Sequence, residues 1–440
     1  MAPPRLTVLG TGYLGTTHAA CLAHLGYDVL AMDVDEAKIA ELSAGRLPIF
    51  EPGLPELLQR TLASGRLRFT TSYQAVADFG DVHFVCVGTP QLPDSNAADV
   101  SHLESVVDGL APLLTRPTLV VGKSTVPVGT APRLAARIAA LAPVGAQAEL
   151  AWNPEFLREG HAVTDTLRPN RLVVGVTSAR AEATLREVYA PLLEAGVPMV
   201  VTDYATAELV KTAANAFLAT KISFINAMAE LCEVAGADVV ELAQALAFDE
   251  RIGGRFLQAG LGFGGGCLPK DIRAFIARAE ELGVEQAVSF LRDVQEINLR
   301  RRVRMVQLTR EALNGTLSDR TVAVWGAAFK PDSDDVRDSP ALHVAQALSD
   351  AGAHVRVYDP EAMPNSAKLF PALEYAPSAV VAADQADAVL HLTEWREFAT
   401  VDPGQLAGVV RRRVMIDGRN SLDPARWRDA GWVYRALGRP

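Results

Sequence analysis

The first residues hold the pattern that most restricts how this chain can fold: a short apolar strand, a turn with three spaced glycines, and a helix. The segment reads RLTVLGTGYLGTTHAACLAHLG, and its glycines are Gly10, Gly12 and Gly15. Glycines at this spacing permit a tight turn and a close approach of the backbone to a ligand, while the helix N-terminus faces a phosphate. The pattern therefore predicts the start of a Rossmann-like domain that binds a dinucleotide.

A carboxylate at the end of the next strand indicates which dinucleotide is bound. Asp33 closes the apolar run VLAMD, where it can accept hydrogen bonds from the hydroxyls of the adenine ribose. The same carboxylate would repel the 2′-phosphate of NADP. A glycine triplet alone is often only a turn, but here strand, helix and Asp33 follow one another in the expected order. Together they predict NAD as the cofactor.

Strands and helices alternate at both ends of the chain, whereas the middle is helical. The predicted N-terminal strands are Leu6–Leu9, Val29–Met32, Val82–Val87, Leu119–Gly122 and Ala148–Asn153. Two long helices are predicted next, at Tyr204–Ala235 and Glu285–Leu313. From Arg320 the alternation returns, with the strands TVAVWG, HVRVYD and DAVLHLT and a helix at Pro340–Ala351.

This order predicts an α/β fold with two Rossmann-like, doubly wound parallel-sheet domains, joined by a long central helix and a helical middle domain. The predicted domains are residues 1–200, 201–314 and 315–440. The last unit keeps Gly326 after its first strand, but AAFK replaces the glycine triplet and Lys330 follows. Lys330 is either a contact to an anionic ligand or a solvated surface lysine.

Charge and composition exclude several classes of partner. The 440 residues carry a net charge of -10, which argues against nucleic acid or an anionic membrane as a partner because both need a basic surface. No apolar run approaches the roughly 18–20 residues that span a bilayer, and Met1–Leu14 has no pattern of a signal peptide. The four cysteines are too scattered for a disulfide framework or a metal site. We therefore expect a cytoplasmic protein with no metal.

Cys267 stands out among the four cysteines. It lies between the glycine-rich run GLGFGGG and a predicted helix whose first turn contains Pro269. A helix N-terminus favours the thiolate, and flanking glycines leave the sulfur accessible. Asp271, four residues on, shares its helix face. Cys21, Cys86 and Cys232 lie in apolar segments and are predicted to be small buried side chains.

Other pairs of polar residues suggest catalytic chemistry. Lys211 and Asn215 are four residues apart on an apolar helix, where a lysine needs an anionic partner or a catalytic use. Glu155 and Glu159 form another i, i+4 pair, after a strand end where ligand sites of α/β folds gather. Read alone, they are equally well surface helix charges, and Asn215 alone is more often a core amide. Thr125 also follows a strand end and can hold a water or touch the nicotinamide.

Taken together, these segments resemble the UDP-glucose/GDP-mannose dehydrogenase family over essentially the whole chain. The resemblance rests on GTGYLG, PIFEPGL, VGTP, KSTVPVGT, NPEFLREG, KTAAN, RIGGRFLQAGLGFGGGCLPKD, AFKPDSDDVRDSP and IDGR, in this order. It implies oxidation of the primary alcohol of a nucleotide sugar, UDP-glucose or a close analogue such as dTDP-glucose, to a uronic acid. Each turnover would consume two NAD, and the C-terminal domain would bind the nucleotide sugar.

The resemblance also implies catalytic roles. Cys267 is similar to the nucleophile that forms a thiohemiacetal and then a thioester. Lys211 resembles the stabiliser of the alkoxide or oxyanion, assisted by Asn215, and Asp271 would orient Lys211 and the water. Glu155, with Thr125, resembles the general base for thioester hydrolysis. Glu159 resembles a neighbouring residue that supports the general base.

Binding residues are implied in the same way. The predicted cofactor contacts are Gly10, Gly12, Tyr13, Leu14, Gly15, Asp33, Lys38, Gly88, Thr89, Pro90, Ser124, Thr125, Glu159 and Arg337. The predicted substrate contacts are Phe156, Leu157, Arg158, Lys211, Asn215, Arg251, Phe256, Leu257, Gly262, Phe263, Gly264, Lys330 and Arg419. Arg251 and Arg337 resemble residues that act across subunits, which implies a homodimer or a higher homo-oligomer whose central helical domain dimerises.

Departures from the family pattern leave alternatives open. The loop after VGTP reads QLPDSNAAD and lacks the usual D-G-x-x-D, Gly266 stands where serine is frequent, and CLPKD also occurs among GDP-mannose enzymes, whereas RIGGRF favours UDP-glucose. GDP-mannose and UDP-N-acetylmannosamine therefore remain alternative substrates. A two-electron β-hydroxyacid dehydrogenase would explain Lys211 and Asn215 but would leave Cys267 without a task. A non-catalytic NAD-binding sensor or scaffold would require the thiol and the carboxylates to be structural.

Overall fold

Short strands and helices alternate through most of the computed structural model, which describes residues 3–440. Met1 and Ala2, the first residues of the predicted N-terminal domain, lie outside the described residues. The strands are β1 (Leu6–Leu9), β2 (Val29–Met32), β3 (Leu67–Thr70), β4 (Val82–Val85), β5 (Thr118–Gly122), β6 (Ala148–Trp152), β7 (Leu172–Gly175), β8 (Met199–Thr202), β9 (Thr321–Trp325), β10 (His354–Tyr358), β11 (Glu374–Tyr375), β12 (Ala388–His391), β13 (Val414–Asp417) and β14 (Val433–Ala436).

The helices vary widely in length. They are α1 (Tyr13–His24), α2 (Glu36–Ser43), α3 (Leu54–Ala63), α4 (Tyr73–Phe79), α5 (Ser101–Leu110), α6 (Thr130–Leu141), α7 (Ala162–Leu167), α8 (Ala179–Val188), α9 (Ala190–Glu194), α10 (Tyr204–Ala235), α11 (Val239–Ala247), α12 (Leu268–Glu281), α13 (Phe290–Ala312), α14 (Pro340–Asp350), α15 (Met363–Leu369), α16 (Ala379–Ala383), α17 (Arg396–Thr400), α18 (Pro403–Leu406) and α19 (Pro424–Asp429). Short 3-10 turns cover Ala111–Leu113, Gly145–Gln147 and Glu285–Val288.

The N-terminal sheet has the strand order β3-β2-β1-β4-β5-β6-β7-β8. Its first six strands are parallel and follow the 3-2-1-4-5-6 order of dinucleotide-binding domains. The parallel pairing is interrupted at one place beyond the predicted strands, since β6 and β7 pair antiparallel through Trp152 and Gly175. Such a pair needs no crossover helix on the sheet face, and the connection between these strands, residues 153–171, contains only a loop and the short helix α7.

The C-terminal sheet has the order β11-β10-β9-β12-β13-β14 and is parallel throughout. It therefore repeats the order of the first six N-terminal strands. The turns after the first strands also match, because Gly10 N donates to Met32 O and Gly326 N donates to Tyr358 O, each at 2.8 Å. The prediction of two Rossmann-like sheets is confirmed.

The predicted helix Tyr204–Ala235 is confirmed as α10, while α13 begins at Phe290, five residues after the predicted start, because Glu285–Val288 is a 3-10 turn. Packing divides the chain into two compact units. One contains the residues up to Ala214 together with Arg273–Val284, and the other contains Asn215–Ile272 together with Glu285–Pro440. The three-domain boundaries at residues 200 and 314 stay a prediction. Within residues 3–440, no helix has both the length and the apolar character needed to cross a bilayer.

Gly12 and Gly15 provide a matched pair for testing the glycine turn. A Cβ added at Gly15 would lie 1.8 Å from Gly10 O, whereas one at Gly12 would meet nothing within 4 Å. We expect Gly15→Ala to destabilise the N-terminal unit by about 1–3 kcal/mol, because α1 must move away from the glycine turn. Gly12→Ala should melt like the wild type and lose affinity for NAD. Thermal melts and NAD titrations check both, and equal melting temperatures would contradict the packing argument.

Candidate active site

The predicted cofactor and base residues of the N-terminal unit lie along one edge of its sheet. Gly10–Gly15 follow β1, Asp33 follows β2, Gly88–Pro90 follow β4, Ser124–Thr125 follow β5 and Glu155 follows β6. Because these strands are neighbours in the order β2-β1-β4-β5-β6, their carboxyl ends form a continuous row. Ligands of α/β folds bind at this edge.

Asp33 is held as a charged acceptor. Its Oδ2 accepts from Thr11 N at 2.8 Å, from Thr11 Oγ1 at 3.0 Å and from Lys38 Nζ at 3.1 Å, and its Oδ1 accepts from Asp35 N at 3.2 Å. Burial would raise the pKa of Asp33, but these hydrogen bonds outweigh it and the pKa lies below its usual value. A ribose hydroxyl can donate to this carboxylate, while a 2′-phosphate would be repelled.

The glycine turn also fits NAD. The space above Gly12 is open, and the first turn of α1, with Tyr13 and Leu14, presents backbone N–H groups there, as a pyrophosphate requires. Two further loops at this edge are tied together: Thr89 Oγ1 donates to Thr125 O at 2.7 Å, and Ser124 Oγ donates to Val87 O at 2.6 Å. The residues present therefore suit the cofactor that the sequence predicts.

Glu155 forms an ion pair with Lys211, with 2.9 Å between Oε1 and Nζ, and its Oε2 accepts from Leu157 N at 2.8 Å. Lys211 is buried and lies 5.7 Å from the centre of the Phe156 ring. The helical i, i+4 reading of Glu155 and Glu159 is wrong, because residues 153–158 form neither helix nor strand. Pro154, the second residue after β6, disfavours the helical region for Asn153, the residue before it.

The same loop contains three predicted substrate contacts, Phe156, Leu157 and Arg158. The Arg171 guanidinium stacks on the Phe156 ring at 3.9 Å. Arg158 binds Asp165 with two hydrogen bonds, at 2.7 and 2.9 Å. Phe156 and Leu157 are partly buried. Arg171, which directly precedes β7, was missed because the sequence pattern did not predict that strand.

A buried lysine at the end of β5 was also missed. Lys123 Nζ donates to Asn153 Oδ1 at 2.9 Å, Tyr189 Oη donates to the same oxygen at 2.6 Å, and Asn153 Nδ2 donates to Val173 O at 2.8 Å. Burial lowers the pKa of Lys123 to about 8. The network fixes the start of the Glu155 loop, and a lysine closing an apolar strand was the available signal.

In the other unit, Cys267 is exposed and directly precedes α12, as predicted. Its carbonyl accepts the first hydrogen bond of the helix, from Asp271 N at 2.9 Å. Asp271 is buried, with Oδ2 accepting from Asn215 Nδ2 at 2.7 Å and Oδ1 from Lys270 Nζ at 2.7 Å. Lys270 was missed although it lies within CLPKD. That Asp271 orients Lys211 stays a prediction.

The other three cysteines behave as the sequence predicts. Cys21, Cys86 and Cys232 are buried. Burial raises the pKa of Cys21 and of Cys86 to about 12, and it raises the pKa of Cys232 as well. These thiols are poor nucleophiles at neutral pH, so Cys267 is the accessible thiol of the described chain.

The glycine-rich segment before Cys267 is anchored by side-chain amides. Asn298, on α13, accepts from Phe263 N at 2.7 Å and donates to Phe263 O at 3.0 Å. A Cβ at Gly262 would lie 2.1 Å from Asn298 Oδ1, and one at Gly264 would lie 2.3 Å from Asp338 O. Phe256 has φ 65°, in the left-handed region, and Leu257 is buried. This segment is therefore a rigid loop whose path requires its glycines.

Arg419 connects this loop to its neighbours in the same unit. Its guanidinium donates to Leu392 O at 2.7 Å, to Gly262 O at 3.1 Å and to Phe329 O at 3.1 Å. Lys330 lies 5.7 Å from the centre of the Phe329 ring. The contacts of Lys330 and Arg419 with the substrate stay predictions.

The two predicted cross-subunit arginines are both exposed. Arg251 binds Asp249, with 2.6 Å between Nη2 and Oδ2, and Arg337 binds Asp335 at 2.7 Å in the same way. A Cβ at Gly266 would lie 2.3 Å from Arg337 Cζ. The exposed Arg337 guanidinium would therefore have to move to admit a serine side chain at this position.

Three family models match the chain: "UDP-glucose/GDP-mannose dehydrogenase family, NAD binding domain" at residues 4–193, its "central domain" at 205–300 and its "UDP binding domain" at 323–424. The UDP-glucose 6-dehydrogenase of Rhizobium meliloti is 42% identical over 99% of this chain and 100% of its own. The UDP-glucose 6-dehydrogenase AglM of Haloferax volcanii is 45% identical over 98% and 99%. The UDP-glucose dehydrogenase structure from Pyrobaculum islandicum superposes with a TM-score of 0.91 at 38% identity, covering 100% of this chain and 98% of that one.

The fold and these matches define an NAD-dependent oxidoreductase of nucleotide sugars. The chain belongs to the UDP-glucose/GDP-mannose dehydrogenase family, as the sequence motifs indicate. It is a nucleotide-sugar 6-dehydrogenase.

Replacement of Asp33 tests the cofactor site. Asp33→Ala should weaken NAD binding by roughly 10- to 100-fold, because a charged hydrogen bond contributes about 1.5–3 kcal/mol, and it should narrow the preference over NADP. The matched control is Asp28→Ala, because Asp28 is an exposed aspartate just before the opposite end of β2. This substitution should change neither the affinity for NAD nor the preference for NAD over NADP. Titration with both cofactors measures the effect. A wild type that prefers NADP would show the assignment of Asp33 to be wrong.

Proposed function

We propose that this chain oxidises UDP-glucose to the corresponding uronic acid in four electrons, through a thioester on Cys267. The observation that carries the proposal is the single exposed thiol at the start of α12, one turn before the buried Asp271. Asp271 in turn binds Asn215 on α10. A two-electron alcohol dehydrogenase needs no such thiol.

The chemistry explains why a thiol is required. Oxidation of a primary alcohol stops at an aldehyde, which must gain a heteroatom before it can lose a second hydride. The Cys267 thiolate adds to the aldehyde carbon to give a thiohemiacetal, whose oxidation gives a thioester. Water then cleaves the carbon–sulfur bond, and the thiol and the carboxylate are released. The glycine turn and Asp33 would hold NAD, which would supply the hydride acceptor, one NAD molecule for each oxidation.

The charged residues have matching tasks in this scheme. The Lys211 ammonium stabilises the alkoxide and the later oxyanions, with Asn215 as a second donor. Glu155, helped by Thr125, takes the proton from the attacking water, and Glu159 supports it. The ion pair between Glu155 and Lys211 supports these assignments, because it places the base and the cation side by side, 2.9 Å apart.

The substrate assignment rests on the relatives, whose names specify UDP-glucose. Discrimination from dTDP-glucose requires sensing one base methyl and one ribose hydroxyl, and GDP-mannose and UDP-N-acetylmannosamine are the other candidates. A steady-state panel of these four sugar nucleotides should give the highest kcat/KM for UDP-glucose. A higher kcat/KM for any of the other three would change the substrate assignment and leave the proposed reaction type unchanged.

We also propose a homodimer formed through α10. Phe217, Phe224 and Leu231, spaced by seven residues, are 66%, 49% and 62% exposed, and seven-residue spacing places them in one stripe. Exposed apolar stripes of this kind usually mark an interface.

We further propose a cytoplasmic location. The reactive thiol of Cys267 needs a reducing compartment, and the cytoplasm provides one.

Replacement of Phe224 tests the dimer. Phe224→Glu should shift the protein toward monomer and lower its activity, because a charge cannot be buried in an apolar interface without a partner. Leu369→Glu, at a similarly exposed leucine on α15, is the control and should stay dimeric. Light scattering measures the mass, and a fully active wild-type monomer would contradict the proposal.

Replacement of Glu155 tests the thioester. Glu155→Gln should slow hydrolysis, because a neutral amide cannot accept the proton of water, so the covalent adduct should accumulate. Intact-protein mass spectrometry after mixing with UDP-glucose and NAD should then show a sugar-nucleotide adduct on Cys267. Glu182→Gln, on the surface of α8, should show the wild-type amount. Absence of an adduct from a Glu155→Gln protein that still forms NADH would exclude this mechanism.

A further inference from the structure

Two glutamates outside the predicted site share an unusual arrangement in the N-terminal unit. Glu51 and Glu208 are each 2% exposed. Glu208 accepts from Gly129 N at 2.7 Å and from Ala131 N at 2.6 Å, one amide on each oxygen. Glu51 accepts in the same way from Gly160 N and Ala162 N, both at 2.7 Å. Each carboxylate therefore binds two amides that are two residues apart.

These amides lie where two loops run into helices. The Thr125 loop ends at α6, and the Glu155 loop ends at α7. Neither helix has a side-chain cap of its own. Because the first N–H groups of a helix have no partner within it, the distant carboxylates act as the missing caps and fix the loop ends. A buried carboxylate with two charge-assisted hydrogen bonds is a strong anchor.

Further contacts connect both anchors to the predicted machinery. Glu208 lies one turn before Lys211 on α10, and Lys211 pairs with Glu155. At the other anchor, Tyr13 Oη is a second acceptor of Gly160 N, at 2.8 Å. Since Tyr13 belongs to the glycine turn, the Glu155 loop is fastened directly to the cofactor turn.

We propose that Glu51 and Glu208 are positioning residues for thioester hydrolysis, acting through the loops that carry Glu155 and Thr125. This inference rests on the proposed function, because it assumes a thioester that water must attack. Alignment of that water depends on both loops at once. The hydride transfers need the thiol, the cofactor and the substrate in place, and they depend less on this alignment.

The test replaces each anchor by its isosteric amide. In Glu51→Gln and Glu208→Gln the amide nitrogen faces a backbone N–H, so one of the two hydrogen bonds is lost and the loop end must shift. Because a displacement of about 1 Å can slow a reaction by about 100-fold, we expect turnover to fall roughly 10- to 100-fold. NADH should form in an initial burst, and the adduct on Cys267 should accumulate as measured by mass spectrometry.

Two further variants make the outcome decisive. Asp387→Asn is the matched control: Asp387 is fully buried and accepts from Thr321 N at 3.0 Å, at the amino end of β9 in the other unit. It should lower the melting temperature without any gain in adduct. Glu155→Gln is the positive reference, because its adduct reports the thioester itself.

The possible results separate the two proposals. Adduct in Glu51→Gln and Glu208→Gln, with the burst retained, supports the positioning role. If Glu155→Gln accumulates adduct and the two anchor variants do not, the positioning role is overturned and the proposed function stands. A loss of burst in proportion to the unfolded fraction, without adduct, also overturns it. Absence of adduct from a Glu155→Gln protein that still forms NADH overturns the thioester itself.

Discussion

The buried ion pair between Glu155 and Lys211 is the interaction on which the site depends most. Both side chains are largely withdrawn from water, at 13% and 6% exposure, and their charged atoms lie 2.9 Å apart. Loss of one member of such a pair leaves an unpaired buried charge, which costs about 3–5 kcal/mol. The loop after β6 and the helix α10 must therefore stay together.

Much of this arrangement could be predicted from local sequence. The boundaries of α10 follow from a long apolar run without proline, and the place of Cys267 follows from glycines before a helix start. The reading of Glu155 and Glu159 as helical neighbours was wrong, because spacing alone does not reveal that the side chain of Asn153 fixes the start of this loop. The domain boundaries and the site roles stay predictions.

The parts that escaped prediction depend on contacts between residues far apart in the sequence. Glu51 reaches the amides of residues 160 and 162, and Asn298 reaches Phe263, which no local pattern shows. The C-terminal unit gives another example. Asp359 follows β10 as Asp33 follows β2, but it is buried and accepts from Ala327 N and Ala328 N. The repeated strand order therefore does not recreate a ribose acceptor there.

The central claim is that the second oxidation needs a covalent bond to Cys267. The most direct measurement is the NADH yield and the product of Cys267→Ala with a limiting amount of UDP-glucose. The account predicts no uronic acid and at most one NADH per sugar, because no thiohemiacetal can form. Two NADH per sugar with a normal yield of uronic acid would contradict it.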